Sequence, residues 1–365
     1  MIPDCTLTTA CYNFSNIHKF SRTFDECINN MKELLEIPCY LCIFTDNYCI
    51  DEIKKIRQSF DLDELTHYII IDFKDTPKYQ YVELVRENRK KYHPTRDERT
   101  CPETHILQVS KFDFVLQTMD INPFNTTKFG WIDSNLGGIR CSKICQNYEN
   151  NMLLNVLKNT NPLKFSIQIL NVCDKKYKKE ENKKEYYEQY RWLVCGCLFI
   201  TGVEVGKPIL NRLNEIAINT MIQGYGHGEE MCYLEVLDEY YDDIEKSYGD
   251  YFNILNNFIR PTKGFLYILM IIRSYLNFRY YRECIDCCKK VLHEFENYNI
   301  AIDYNIYFSI LFNYYVALAY YNKEEAVNIA NKIMNLVSIN PYIRTEFNKN
   351  SNFYKEQLRY MITIS

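Results

Sequence analysis

No apolar run in this 365-residue chain is long enough to cross a bilayer. The longest, Gly264 to Ile272, falls well short of the roughly 20 residues that a spanning helix needs. The opening Met1-Ile2-Pro3-Asp4 lacks the basic and then apolar stretch of a secretory leader, so a cytoplasmic chain is expected. Charge of one sign is also missing. A formal net charge of -4 and a pI near 6.0 leave no whole-molecule field to hold nucleic acid or an anionic membrane. Lys175, Lys176, Lys178 and Lys179 are interleaved with acidic neighbours and read as a solvated face. Neither Gly-x-Ser-x-Gly, nor a Walker-type loop, nor Gly-x-Gly-x-x-Gly opens a helix after a strand, which removes support for a serine hydrolase, a nucleoside triphosphatase or a dinucleotide dehydrogenase. The 16 cysteines lack the pair-plus-pair spacing of a structural zinc site, and disulfide-dense scaffolds are short secreted chains. Cys141 with Cys145, Cys195 with Cys197, and Cys284 with Cys287 and Cys288 are therefore expected to be small core residues of a reducing compartment.

What is present is ordinary globular composition, 47% hydrophobic and 25% charged, in a chain longer than one core usually spans. Two domains are expected, with a boundary near residue 260. Before it, short β-rich runs alternate with helical spacing: strands at 7–12, 39–44, 67–72 and 128–132, and helices at 23–36, 50–60 and 103–119. This rhythm predicts an α/β domain over 1–260, a mixed and mostly parallel sheet flanked by helices. Further strands are expected at 164–172 and 192–200, with an exposed helix or mobile loop over 174–188 between them, and a helix at 208–223.

After Pro261 the strand pattern stops, and 261–365 reads as all-α. Tyr280-Tyr281 is echoed by Tyr320-Tyr321 about forty residues on, each pair closing one helix and opening the next. Two tetratricopeptide-like hairpins are predicted, with Cys284, Cys288, Ala317, Ala319, Ala326 and Ala330 allowing close helix approach. Such a region offers a surface to a protein partner or a second copy of the chain.

In open parallel sheets, ligands bind beyond the carboxyl ends of the strands. Those ends carry Asn13, then Asp46, then Asp72, then Asp133-Ser134-Asn135. Because side chains alternate along a strand with period two, Asp133 and Asn135 share a side and can face one hard cation, Mn²⁺ or Mg²⁺, completed by diphosphate oxygens and water. An aspartate in that place also suits a turn cap.

A helix carrying Lys111, then Asn122-Pro123-Phe124, then Trp131-Ile132-Asp133 resembles the HtrL/YibB-type family of glycosyltransferase-like proteins. More loosely, it resembles GT-A transferases with an Asp-x-Asp motif. Thr8-Thr9-Ala10, Phe44-Thr45-Asp46 and Tyr248-Gly249-Asp250-Tyr251 extend the likeness over residues 5 to 260; Asn135 departs from it by replacing the second aspartate. The resemblance implies a GT-A fold and metal-dependent sugar transfer from a UDP- or GDP-linked donor to a glycan or protein acceptor. It also implies roles. Lys111 would meet the donor diphosphate, and Thr9, Tyr12, Asn13, Asp46 and Asp133 would meet the nucleotide. Glu229 or Glu230 would act on the acceptor as base. Asp133, Asn135 and His227 would hold the metal. The alternative is a catalytically silent GT-A-like binding protein whose helical region recruits a partner, an option that Asn135 keeps open.

Overall fold

The computed structural model describes residues 2–91, 98–136, 152–225, 228–259, 264–298 and 303–349. The chain divides into two compact units, Met1–Ser247 with Tyr251–Ile259, and Tyr248–Asp250 with Arg260–Ser365. The first is built on seven strands: β1 (Cys5–Cys11), β2 (Tyr40–Thr45), β3 (Thr66–Ile70), β4 (Lys128–Ile132), β5 (Phe165–Ile169), β6 (Val194–Gly202) and β7 (Ile244–Tyr248). They stand in the order β3-β2-β1-β4-β6-β5-β7. The first four run parallel. β6 is antiparallel to both β4 and β5, so the α/β class and mixed sheet are as expected. β7 was not legible in the sequence, because Glu245 and Lys246 interrupt a five-residue strand whose buried positions are only Ile244, Ser247 and Tyr248.

β1 shows why these runs become interior strands. All seven of its residues are buried. The hydroxyls of Thr6 and Thr8 meet those of Thr126 at 2.7 Å and Thr118 at 2.9 Å, which offsets the cost of burying them. The helices of this unit are α1 (Phe24–Leu35), α2 (Ile50–Ser59), α3 (Val82–Lys91), α4 (Pro102–Ile121), α5 (Met152–Asn159), α6 (Lys183–Tyr187), α7 (Val203–Ile222), α8 (Tyr233–Glu239) and α9 (Ile254–Ile259).

Residues of α1, α2, α5 and α9 share one apolar core with Leu7, Cys11, Leu41 and Ile43 of the sheet. On the other side, α4 reaches β1 through Thr118 and packs beside α7. Local chemistry sets the ends. Thr23 and Glu26 form a reciprocal capping box at α1. α4 opens on Pro102 and stops where Asn122 turns left-handed at φ 40°, a conformation asparagine tolerates better than most residues. The span 174–188, expected as an exposed helix or mobile loop, folds as short turns and α6, with Tyr177, Tyr186 and Tyr187 buried.

The second unit contains α10 (Phe265–Asn277), α11 (Tyr281–Tyr298), α12 (Tyr304–Tyr321), α13 (Lys323–Ile339) and α14 (Pro341–Lys349). The echoed aromatic pairs meet: the rings of Tyr281 and Tyr320 stack at 4.8 Å with 8° between their planes. Cys284, Cys288, Ala317, Ala319, Ala326 and Ala330 are all buried. Among the described residues no helix is long and apolar enough to cross a membrane, and every described cysteine is free. Cys141 and Cys145 lie outside the described residues.

Candidate active site

The chain leaves β1 for β2 and β3 on one side, then returns to β4 on the other side of β1. The carboxyl ends of β1 and β4 thus flank the point where the winding reverses, the place where open α/β sheets leave a crevice. Asp133 follows β4 directly and is locked there, its backbone N–H donating to the carbonyl of Cys197 at 2.8 Å. Its side chain is one-third exposed. Oδ1 accepts from the indole N–H of Trp131 at 2.5 Å and from Lys111 at 3.3 Å.

The position of Lys111 corrects the expectation that it holds a donor diphosphate. It is only 1% exposed. Its ammonium donates to Asp133, to the carbonyl of Gly196 at 2.9 Å, and to Glu229 Oε1. All three N–H donors are spent inside the protein. Burial alone would depress its pKa, but Asp133, Glu229 and Glu230 outweigh that and keep it well above the usual lysine range.

The structure separates the two glutamates. Glu229 is sealed, with Oε2 buried and lacking a hydrogen-bond partner among the described residues. Burial first, then the nearby charges of Glu230 and Asp133, push its carboxyl up to about 8 against the pull of Lys111. An unpartnered buried oxygen is where a retained proton would sit. Glu230 is half-buried, and Tyr190 donates to its Oε2 at 2.6 Å. Burial and the two glutamates hold the Tyr190 hydroxyl far above its ordinary pKa, so it remains a donor. Two glycines make this approach feasible. A Cβ at Gly228 would fall 1.6 Å from the Tyr190 oxygen, and one at Gly196 would fall 2.5 Å from Glu229 Oε1.

Beside this cluster lies an open cleft of about 240 Å³, walled by Ala10, Cys11 and Tyr12 at the end of β1, by Gln108 of α4, and by Ser134 next to Asp133. Tyr12 presents a mostly buried ring, packed 5.2 Å from Phe73. Of the other expected nucleotide contacts, Thr9 is wholly buried, its hydroxyl without a hydrogen-bond partner among the described residues. Asn13 Oδ1 accepts from the backbone of Ser15 at 3.0 Å. Asp46 Oδ1 accepts from the backbone N–H groups of Tyr48 and Cys49 at 3.0 and 2.9 Å, closing the turn that precedes α2. These are turn functions, which strand-end polar residues commonly serve.

Of the expected metal ligands, only Asp133 has a described side chain. His227 and the side chain of Asn135 lie outside the described residues. Among the described residues no three His, Cys, Asp or Glu side chains are grouped to hold an ion. Asp133 already spends Oδ1 on an indole and an ammonium, and the adjacent lysine charge opposes a second cation. The described part of this donor set does not by itself hold Mn²⁺ or Mg²⁺.

Sequence reading also missed Tyr190, Arg22 and Arg99; the two arginines line the cleft. Arg22 was discoverable in principle, since it sits in the loop leaving β1 just before the Thr23 cap. Buried Lys78 was missed too; it is bound to Asp113 and to Asn214, and so turns Asp113 toward a structural role.

Residues 4–158 match the HtrL_YibB family model, described as a bacterial protein of unknown function. The match covers the motifs that carried the resemblance, from Thr8-Thr9-Ala10 through Asp133, and stops short of residue 260. Among solved structures, the chain is similar to mouse xyloside xylosyltransferase 1 in its apo form, at 10% identity and a TM-score of 0.36, covering 67% of this chain and 85% of that one. It is also similar to core-mannan synthase A from Aspergillus fumigatus in its Mn/GDP form, at 12% identity and a TM-score of 0.41, covering 69% and 73%. Neither likeness is close enough to assign a residue role. No curated protein matches the chain.

Proposed function

We propose that this chain is a glycosyltransferase of GT-A type, moving a sugar from a UDP- or GDP-linked donor to a hydroxyl of a glycan or protein acceptor. One observation carries the reading. At the β1–β4 switch point an open cleft with Tyr12 in its wall reaches Ser134, and the adjoining residue, Asp133, belongs to an ion-paired cluster with Lys111 and Glu229.

In this reading the nucleotide lies in the cleft against Tyr12, and its sugar reaches past Ser134 toward Asp133. Glu230, the accessible member of the acidic pair, takes the proton of the acceptor hydroxyl. As the hydroxyl oxygen bonds to the sugar's anomeric carbon, the bond from that carbon to the diphosphate oxygen breaks, and the nucleoside diphosphate leaves. Tyr190 orients Glu230 through its hydroxyl. Glu229 and Lys111 stay out of contact with substrate and set the charge behind it. A positioned general base of this kind contributes about 10²–10⁴-fold.

The test is release of nucleoside diphosphate from a panel of UDP- and GDP-sugars, with and without Mn²⁺, alongside thermal shift. Wild-type protein is expected to release nucleotide, and Glu230→Gln to be slower by about 100-fold or more with donor affinity retained. Stabilisation by donors without any turnover would instead favour the silent binding protein. Neither stabilisation nor release by any donor would sink the proposal.

A further inference from the structure

Burial of Lys111 leaves the anionic part of a nucleotide without its expected cation, and the same cleft holds another source of positive charge. We infer that Arg22 and Arg99 form the diphosphate clamp of this protein, in place of Lys111; the inference rests on the sugar-transfer reading and names the residues that read its donor.

Among the described residues lining the cleft, Arg22 and Arg99 are charged and none is a carboxylate, although the chain as a whole is acidic. A confined basic wall in an acidic protein concentrates anions locally. The two guanidinium groups also share a neighbourhood. Both bear on the Glu26 carboxyl, which is lowered first by its capping hydrogen bonds to Thr23 and further by Arg22 and Arg99. Glu26 is itself committed to α1, Oε2 accepting from the backbone N–H of Thr23 at 2.8 Å.

Residue type points the same way. A guanidinium offers planar paired donors that match two phosphate oxygens at once and cannot be deprotonated near neutral pH. Arg22 is half-buried and Arg99 exposed, so a ligand entering from solvent can reach them, as it cannot reach Lys111. Across the cleft, Thr104 and Gln108 lie one turn apart on α4 and supply hydroxyl and amide groups suited to a ribose or base edge. At about 240 Å³ the cleft is smaller than the roughly 300–1,000 Å³ of pockets that enclose drug-sized ligands. It therefore takes part of a nucleotide and leaves a transferred sugar outside, on the side of Ser134.

Calorimetric titration of the full chain with UDP, GDP, uridine, guanosine and sodium pyrophosphate tests this. Wild-type protein should bind one of the nucleoside diphosphates at least about tenfold more tightly than its nucleoside, each guanidinium contributing a charge-assisted contact. Arg22→Ala and Arg99→Ala should each weaken the diphosphate about tenfold or more while nucleoside binding is unchanged. Arg22→Lys and Arg99→Lys, which keep stem and charge, should recover part of the loss and remain measurable if an alanine variant folds poorly. If the variants bind UDP and GDP as wild type does, the clamp is refuted while nucleotide binding survives. If pyrophosphate binds and is lost in the variants, with UDP and GDP no tighter than pyrophosphate, the clamp stands and the sugar-transfer reading falls. Wild-type protein that binds neither nucleotide nor pyrophosphate refutes both.

Discussion

The two cationic places beside the β1–β4 switch point use positive charge in opposite ways. At the end of β4, Lys111 is sealed from solvent and satisfied by Asp133, Glu229 and the Gly196 carbonyl. At the end of β1, Arg22 and Arg99 sit on the wall of an open cleft with no carboxylate among its described lining residues. A buried cation must be neutralised by the protein, because leaving it unpaired costs several kcal/mol. A cation on the wall of an open cleft can be reached by a ligand from solvent. The first kind holds structure and tunes neighbouring acids; the second is available to substrate.

The sharpest way to break this contrast is Lys111→Ala. It strands Glu229 and Asp133 beside a cavity and should cost about 3–5 kcal/mol in urea unfolding, as removal of one partner of a buried pair does. Lys111→Met combined with Glu229→Gln should recover most of that loss, since the buried carboxyl is neutralised together with the ammonium and Asp133 keeps one-third of its side chain in solvent. A loss under about 1 kcal/mol for Lys111→Ala would mean that the ammonium is hydrated and the contrast is false.

Glu229→Gln addresses the same cluster through pH. The folded protein holds the Glu229 proton more tightly than the unfolded chain does, its pKa raised from 4.5 to about 8. Its contribution is therefore fully present below about pH 4.5 and is lost as pH rises toward 8. Wild-type protein should lose more stability than Glu229→Gln between pH 5 and pH 8.5 when urea midpoints are compared. Parallel profiles would show that Glu229 is ionised throughout.

Asp46→Ala measures a residue first expected to bind nucleotide and now seen closing the turn before α2. It should cost about 0.5–1.5 kcal/mol, as loss of a hydrogen bond does, while UDP and GDP affinity is unchanged. Weaker nucleotide binding would return Asp46 to the site. The smallest stability effect belongs to Arg22→Ala, expected to stay within about 0.5 kcal/mol of wild type by thermal or urea unfolding, because no buried pair is broken. A large loss would move Arg22 into the structural class with Lys111.

Much of the fold was readable because local patterns repeat. The β-branched and apolar content of Leu7 to Tyr12 and Lys128 to Ile132 marked interior strands, and the helical spacing over 23–36 marked α1. The Tyr281 and Tyr320 echo pointed to helices that pack against each other. β7 was invisible because a five-residue strand with Glu245 and Lys246 at its centre lacks the expected alternation. The reversal of β6 was invisible for a different reason: strand direction depends on the path of the connecting chain, which composition does not encode.

For the site, the sequence alone determined where chemistry could gather, namely the polar residues at the strand ends and the acidic pair at 229 and 230. It also determined that lysine, arginine and carboxylate were all at hand. Tertiary structure decided their roles, because a charged group's role depends on how much water it keeps. That water was stripped from Lys111 and Glu229 by α4, β6 and the turn after Gly228 closing over them, contacts between residues 118 apart in the chain. Arg22 kept its access because it lies at the open end of β1, a difference that no local stretch of sequence contains.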